Sequence, residues 1–82
     1  MIITAPITML HLESDLDAGI AARLLDLLTV QRRLPERLVI DWLAHGIRFT
    51  LDFKVDTDLS ASLLARLRQL PGMRAVSLGP RL

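Results

Sequence analysis

Carboxylate side chains concentrate in one short stretch of the chain. Glu13, Asp15 and Asp17 occupy alternate positions, and Gly19 follows two residues later. Such a cluster could act as an acid/base pair or hold a cation, or it could cap a helix from a solvated loop. Because an apolar-periodic segment begins directly after it, helix capping is the simpler interpretation.

A small ligand at this loop also has a physical basis. A glycine at position 19 lets a ligand approach the backbone closely. The amides of Gly19, Ile20 and Ala21 open a helix and can receive a carboxylate. A nearby aspartate, Asp15 or Asp17, could pair with an α-ammonium group, and an amino acid carries both charges. The alternative is that Gly19 only relieves crowding where the loop joins the helix.

The residues needed for catalysis are sparse. The chain has no cysteine, which excludes a thiol nucleophile, a disulfide and a CxxC metal site. His11 falls in a predicted strand and His45 in a predicted hairpin loop, without HxxxH or HExxH spacing and without a glycine-rich phosphate loop. We therefore expect no enzyme, no metal site and no cofactor.

Length and charge set further bounds. The 82 residues, 51% of them hydrophobic, predict a single domain over residues 1–82 with surplus apolar surface. A net charge of +1 gives no strong field for nucleic acid or anionic lipid. No apolar stretch approaches the ~20 residues of a membrane span, and Met1–Leu10 lacks the basic region of a secretory signal. These features predict a soluble cytoplasmic protein.

The elements that position the carboxylates begin with a strand and a helix. Ile7–Leu12 is an apolar run that predicts a buried strand. Helical periodicity then extends from about Ala18 to Arg33, and Pro35 stops it. The apolar stripe of this helix consists of Ile20, Leu24, Leu27 and Leu28.

Two strands joined by a short loop follow the first helix. Arg37–Leu43 carries apolar residues on both faces, and Ala44–Gly46 is predicted as a hairpin loop. From Arg48 to Val55 apolar and polar residues alternate, which is typical of a half-exposed antiparallel strand. Its apolar face comprises Phe49, Leu51, Phe53 and Val55, and its polar face Arg48, Thr50, Asp52 and Lys54.

A second helix and a last strand complete the pattern. Asp56–Asp58 is a loop with a capping candidate, and leucines at helical spacing predict a helix over Leu59–Leu70. Pro71 and Gly72 end it, and Met73–Leu78 is the final strand.

The resulting order predicts an α+β fold, a ferredoxin-like βαββαβ sandwich. Four antiparallel strands form one sheet and both helices cover one face of it. Right-handed crossovers place the first and third strands in the centre, so that Arg37–Leu43 becomes an edge. An edge with apolar residues on both faces favours association.

Two segments carry a resemblance to a known family. Asp17–Leu28 resembles the start of an ACT domain, where an acidic or Asn residue and then a Gly precede a helix of the Leu-x-Arg-Val/Leu-x-x-Leu kind. Leu63–Val76 is similar to the ACT ending, in which Leu-x-x-Leu-x-x-Leu-Pro-Gly-Val leads into the fourth strand. The resemblance spans about Ile7–Leu78 and is greatest to the short regulatory subunits of acetolactate (acetohydroxyacid) synthase.

The resemblance implies a regulatory module that binds a small amino acid, regulates a biosynthetic enzyme such as acetolactate synthase, or does both. It also implies side-by-side pairing into a homodimer or higher oligomer, with a large catalytic subunit as a further partner. The ligand-binding residues would be Asp15, Asp17, Ala18, Gly19 and Ile20. The dimer interface would include Val39, Ile40, Asp41 and Trp42.

Two other functions stay open. The chain could be a ligand-free ACT-like interaction module that stabilises a catalytic subunit through its apolar edge. A ferredoxin-like nucleic-acid binder ranks third, because such proteins stack bases on exposed aromatics of the central strands. Phe49 and Phe53 share a face with Leu51 and Val55 and are therefore predicted to be core.

Overall fold

A computed structural model describes residues 8–54 and 57–80 of the chain. Its six elements follow the predicted order, with bounds that differ at several ends. They are β1 (Thr8–Ser14), α1 (Gly19–Val30), β2 (Arg37–Leu43), β3 (Gly46–Phe53), α2 (Ala61–Arg68) and β4 (Met73–Pro80).

The four strands form one antiparallel sheet in the order β2-β3-β1-β4. This order confirms the predicted ferredoxin-like fold, with β1 and β3 in the centre and β2 at an edge. The β2–β3 ladder keeps one register from Arg37 opposite Asp52 to Leu43 opposite Gly46. The β1–β4 ladder instead shifts register between Glu13 and Ser14.

One hydrophobic core joins both helices to the same side of the sheet, which we name the helix side. The core residues of β1 and β3 occupy alternate positions, as the pleat of a strand requires. The core comprises Leu10, Leu12, Ile20, Leu24, Leu28, Ile47, Phe49, Leu51, Phe53, Leu63 and Leu67. Burial of each such side chain contributes about 1.5–3 kcal/mol relative to exposure. The opposite side of the sheet, the open face, carries the other set of alternate residues.

Helix α1 ends at Val30, three residues before the predicted end at Arg33. Arg32 adopts a left-handed backbone conformation with φ of 56°. Its amide donates to the Thr29 carbonyl at 3.1 Å, and the Arg33 amide donates to the Leu28 carbonyl at 2.9 Å. These two bonds form a Schellman motif, which closes the helix on its own last carbonyls. The predicted end was wrong because the left-handed residue after a helix is usually a glycine, whereas here it is Arg32.

Helix α2 is shorter than the predicted Leu59–Leu70, and its cap is not in the predicted place. Ser60 occupies the N-cap, and its Oγ accepts the amide of Leu63 at 3.2 Å. The predicted capping loop at residues 56–58 precedes it, and Asp56 lies outside the described residues. A serine next to the first turn satisfies the early helical amides better than a more distant aspartate.

Strand β3 begins two residues before its predicted start, because the β2–β3 turn contains only Ala44 and His45. Gly46 is buried against β1, and a Cβ there would collide with the Ser14 carbonyl oxygen. The earlier start of the strand adds Ile47 to the core. Val55, which was predicted on the same face, lies outside the described residues. Asp52, predicted on the exposed face, is only 7% exposed.

The first and last strands of the chain, β1 and β4, both extend beyond their predicted ends. β1 continues past Leu12 to Ser14, and its predicted first residue, Ile7, lies outside the described residues. β4 continues past Leu78 to Pro80. Neither described helix is long and apolar enough to span a membrane.

Candidate functional site

The loop between β1 and α1 is tied to the turn that precedes β4. The amide of Asp15 donates to the carbonyl of Gly72 at 2.8 Å. The Nε atom of Arg74 donates to Asp15 Oδ1 at 2.6 Å. Both side chains of this ion pair are about half exposed, so the pair contributes up to about 1 kcal/mol. The predicted ligand residue Asp15 thus already faces a guanidinium group of its own chain.

Gly72 sets how closely this turn approaches the start of α1. Its φ of 87° lies in the region that glycine adopts without strain. A Cβ at this position would lie 2.6 Å from Ile20 Cδ1. Because Ile20 is fully buried in the core, the turn can pack against it only without a side chain.

Asp17 caps the first turn of α1. Its Oδ1 accepts the amide of Gly19 at 2.9 Å, and its carbonyl accepts the amide of Ile20 at 3.1 Å. Its Oδ2 lies 3.5 Å from Arg23 Nη1. Ala18 occupies the N-cap position and makes no side-chain hydrogen bond. The side chain of Asp17, two residues before the first helical residue, therefore takes the role of an N-cap side chain.

These contacts constrain the predicted amino-acid site. The five predicted residues form one continuous segment, but Ile20 is buried and offers only backbone groups. The amides of Gly19 and Ile20 already have acceptors within the chain. A ligand carboxylate would have to replace Asp17 Oδ1 at the Gly19 amide. The Asp17 carboxylate must release the Gly19 amide before it can turn both oxygens toward an ammonium group.

Gly19 itself is not confined by its backbone. It does not adopt a left-handed conformation, and a Cβ there would lie 3.3 Å from Asp17 Oδ1 and 3.5 Å from Arg23 Nη2. Both neighbours are ends of side chains that are about half exposed. The site of close packing at this loop is therefore Gly72, which sequence reasoning treated only as the end of a helix.

The predicted dimer-interface residues all lie on the β2 edge of the sheet. Val39 and Ile40 are half-buried, whereas Asp41 is exposed and Trp42 is 58% exposed. Val39 and Asp41 lie on the open face, and Ile40 and Trp42 lie on the helix side, because they stand opposite Phe49 and Ile47. Among the described residues, β2 pairs with β3 alone.

A row of alternating charges crosses the open face, and sequence reasoning missed it. Arg48 Nη2 lies 3.2 Å from Glu13 Oε1 on β1. On the other side of β3, Arg48 stands directly opposite Asp41 of β2. We name Glu13, Arg48 and Asp41 the charge row. One of its two cross-strand pairs, Arg48 opposite Asp41, follows from the observed hairpin, because both residues are equally far from its two-residue turn.

Among the described residues, the open face carries no Phe, Tyr or Trp side chain. The chain has three aromatic residues, Trp42, Phe49 and Phe53, and all belong to the helix side. His11 lies half-buried in β1 and His45 is exposed in the hairpin turn. Within residues 8–54 and 57–80, no group of three or more His, Cys, Asp or Glu side chains could hold a metal ion.

No protein-family model matches this chain, and neither a curated protein nor a solved structure is significantly similar to it. The geometry of its own residues therefore carries the functional argument.

Proposed function

We propose that this chain is a small ACT-like regulatory module of the cytoplasm that binds an amino acid, regulates a biosynthetic enzyme such as acetolactate synthase, or does both. The observation that carries the proposal is the β2 edge in a ferredoxin-like sandwich. This edge displays Trp42 and Leu43 to solvent, at 58% and 40% exposure. A regulatory module needs a surface through which it meets another chain.

The β2 edge has few of the features that protect natural sheet edges. Protected edges are short, bulged, interrupted by proline or lined with inward-pointing charges. Strand β2 spans seven residues, contains no proline and keeps an unshifted register with β3. Its backbone and its partly exposed apolar residues favour pairing with a further strand.

Amino-acid binding at the β1–α1 loop is tested by thermal unfolding with each of the twenty amino acids. A ligand at 100 times its Kd adds about 2.7 kcal/mol of stability. The matched variant is Asp17→Asn, which keeps an oxygen for the Gly19 amide but removes the charge for an ammonium group. It should weaken the shift without unfolding the chain. If no amino acid shifts the transition, with or without a partner enzyme, this loop is not a sensor.

A second candidate function is a ligand-free interaction module that stabilises a catalytic subunit. It is favoured by the internal pairing of Asp15 with Arg74 and of Asp17 with Gly19 and Arg23. Co-expression with an acetolactate synthase catalytic subunit separates the two functions. A stable complex without any amino-acid effect supports the interaction module. An amino-acid effect on the activity of the complex supports the sensor.

A further inference from the structure

Charge is unevenly distributed along the chain. Residues 59–82 contain no acidic residue but four arginines, Arg66, Arg68, Arg74 and Arg81, whereas residues 1–58 contain six basic and nine acidic residues. Helix α2 and strand β4 both lie within residues 59–82. Because α2 packs beside β4, the side of the molecule that they form is basic and favours an acidic partner.

Strand β4 is the second edge of the sheet. Among the described residues it pairs with β1 alone. A register shift at the start of the strand leaves Arg74 without a partner in β1, and Pro80, which has no amide hydrogen, stands at the other end. Both features keep a sheet edge from pairing along its whole length. The edge that is open to a further strand is therefore short and runs from Ala75 to Gly79.

The backbone groups that β4 turns outward follow from the β2–β3 hairpin. A two-residue turn makes the residues that flank it a hydrogen-bonded pair, and alternate residues of an antiparallel strand bond to opposite neighbours. The backbone of Thr50 in β3 therefore bonds to β2, and His11, which stands opposite it in β1, bonds to Ser77 of β4. The amides and carbonyls of Val76 and Leu78, on either side of Ser77, consequently point away from the sheet.

A cleft of about 340 Å³ lies beside the start of this edge. Its lining comes from the end of α2 and the start of β4 and consists of Arg68, Met73, Arg74, Ala75 and Val76. Arg68 is exposed and forms no hydrogen bond or ion pair with the described residues. Within the same residues Arg74 donates only through its Nε atom, to Asp15. Two guanidinium groups with unused donors can therefore receive a carboxylate in this cleft.

Apolar side chains continue the edge beyond the cleft. Leu78 is 48% exposed and Val76 is half-buried. Both lie on the helix side, because they stand opposite Leu10 and Leu12. A strand added to β4 would lay alternate side chains beside them, and the next side chain on that face would reach the cleft. Main-chain hydrogen bonds with sites for alternate side chains are the usual means by which a sheet edge recognises a peptide.

Single-stranded nucleic acid is the other acidic polymer that a basic surface attracts. Proteins that bind it combine positive charge with aromatic side chains on which the bases stack. The three aromatic residues of this chain lie elsewhere, because Phe49 and Phe53 are buried in the core and Trp42 belongs to the opposite edge. An outward row of backbone groups without an aromatic side chain favours a peptide.

We propose that the β4 edge binds an acidic, extended peptide segment of a partner protein by strand addition. The segment runs antiparallel to β4, as every pair of strands in this sheet does. Two of its apolar residues lie opposite Leu78 and Val76, and a glutamate two residues further along enters the cleft between Arg68 and Arg74. This binding depends neither on a ligand at the β1–α1 loop nor on the β2 edge, so it goes beyond the proposed function and can fail separately from it.

Binding of a designed peptide tests the charge contacts. The probe is the fluorescent peptide Thr-Val-Thr-Val-Thr-Glu with both ends capped, and we expect fluorescence anisotropy to detect its binding to the whole chain at concentrations up to about 1 mM. Replacing its glutamate by glutamine, or Arg68→Gln in the protein, should weaken binding roughly two- to five-fold. Arg66→Gln is the matched control, because it removes the same charge from α2 but from a residue that does not line the cleft. The glutamine peptide repeats the charge test without any change to the protein.

N-methylation of the peptide tests the strand addition itself. The two valines stand opposite Leu78 and Val76, so a methyl group on either valine amide removes a hydrogen bond to β4 and should weaken binding roughly tenfold. The amide of the threonine between the valines points to solvent, because alternate residues bond to opposite sides. A methyl group on that amide should therefore leave the affinity nearly unchanged.

The opposite results would overturn the proposal. Equal losses for Arg66→Gln and Arg68→Gln would mean a diffuse attraction without the cleft. Equal losses for the two kinds of methylated peptide would mean binding without strand addition. Oligothymidylate that displaces the peptide, binds more tightly and is weakened by Arg68→Gln would assign this surface to nucleic acid instead. No binding of the peptide up to about 1 mM would also overturn the proposal.

Discussion

Replacement of Gly72 by alanine should destabilise the fold through both its backbone conformation and its contact with the core. The left-handed conformation of this residue, φ of 87°, costs a residue with a Cβ about 1–2 kcal/mol. The added methyl would lie 2.6 Å from Ile20 Cδ1, so that this side chain must leave its rotamer at a cost of about 0.5–1.5 kcal/mol. Alanine also reduces the conformational freedom of the unfolded chain, which offsets about 0.4–1 kcal/mol of this loss in stability. The net loss is therefore about 0.5–3 kcal/mol.

Urea unfolding measures this loss, with Gly79→Ala as the matched control. A Cβ at Gly79 would meet no atom within 4 Å, and its φ is not in the left-handed region. A total stability of about 5–15 kcal/mol makes the expected difference between the two variants easy to resolve. Equal midpoints for Gly72→Ala and Gly79→Ala would refute the reasoning.

The contact with Ile20 can be separated from the backbone strain by a double variant. Ile20→Val removes the Cδ1 atom that the new methyl would strike, at its own cost of about 0.5–1.5 kcal/mol. In that background Gly72→Ala should cost less by about the rotamer contribution, whereas the backbone contribution remains. If the two substitutions are additive, the methyl does not strike Ile20 and the whole loss arises from the backbone.

Two further predictions concern other positions. Arg32→Gly should raise the free energy of unfolding by about 0.5–1 kcal/mol, because glycine adopts the φ of 56° without strain; unchanged or lower stability in urea would contradict this. Ser60→Ala should lower helical content and cost about 1 kcal/mol through loss of the cap on the Leu63 amide, and a value within error of zero would count against that cap.

The topology was predictable because its signals are local. The seven residues of β2 have the predicted bounds, since apolar residues on both faces and the following glycine define them. The alternation of β3 gave its core face, and the order of elements left the ferredoxin-like sheet as the compact arrangement. The ends of the helices were harder to predict from the sequence. Arg32 takes a conformation that glycine usually signals, and Ser60 competes with nearby aspartates as a cap.

The contacts of the candidate site were not predictable from local patterns. Asp15 pairs with Arg74, a residue 59 positions away, and neither composition nor periodicity relates the two. The capping role of Asp17 was foreseen, but its occupation of the Gly19 amide depends on the geometry of the turn. Burial of Asp52 on the open face also departs from strict alternation. Amino-acid binding at this loop stays a prediction.

The two-residue turn at Ala44 and His45 also governs the order in which the sheet can form. Closing a short loop loses little chain entropy, and a hairpin forms within about 1–10 μs. The β1–β4 ladder instead joins Thr8 to Pro80 and must wait for nearly the whole chain to fold back. The β2–β3 hairpin is therefore the earliest part of the sheet. A folding chain accordingly exposes the β2 edge before the central strand β1 is covered. Protein concentration during refolding should therefore influence the yield of folded protein.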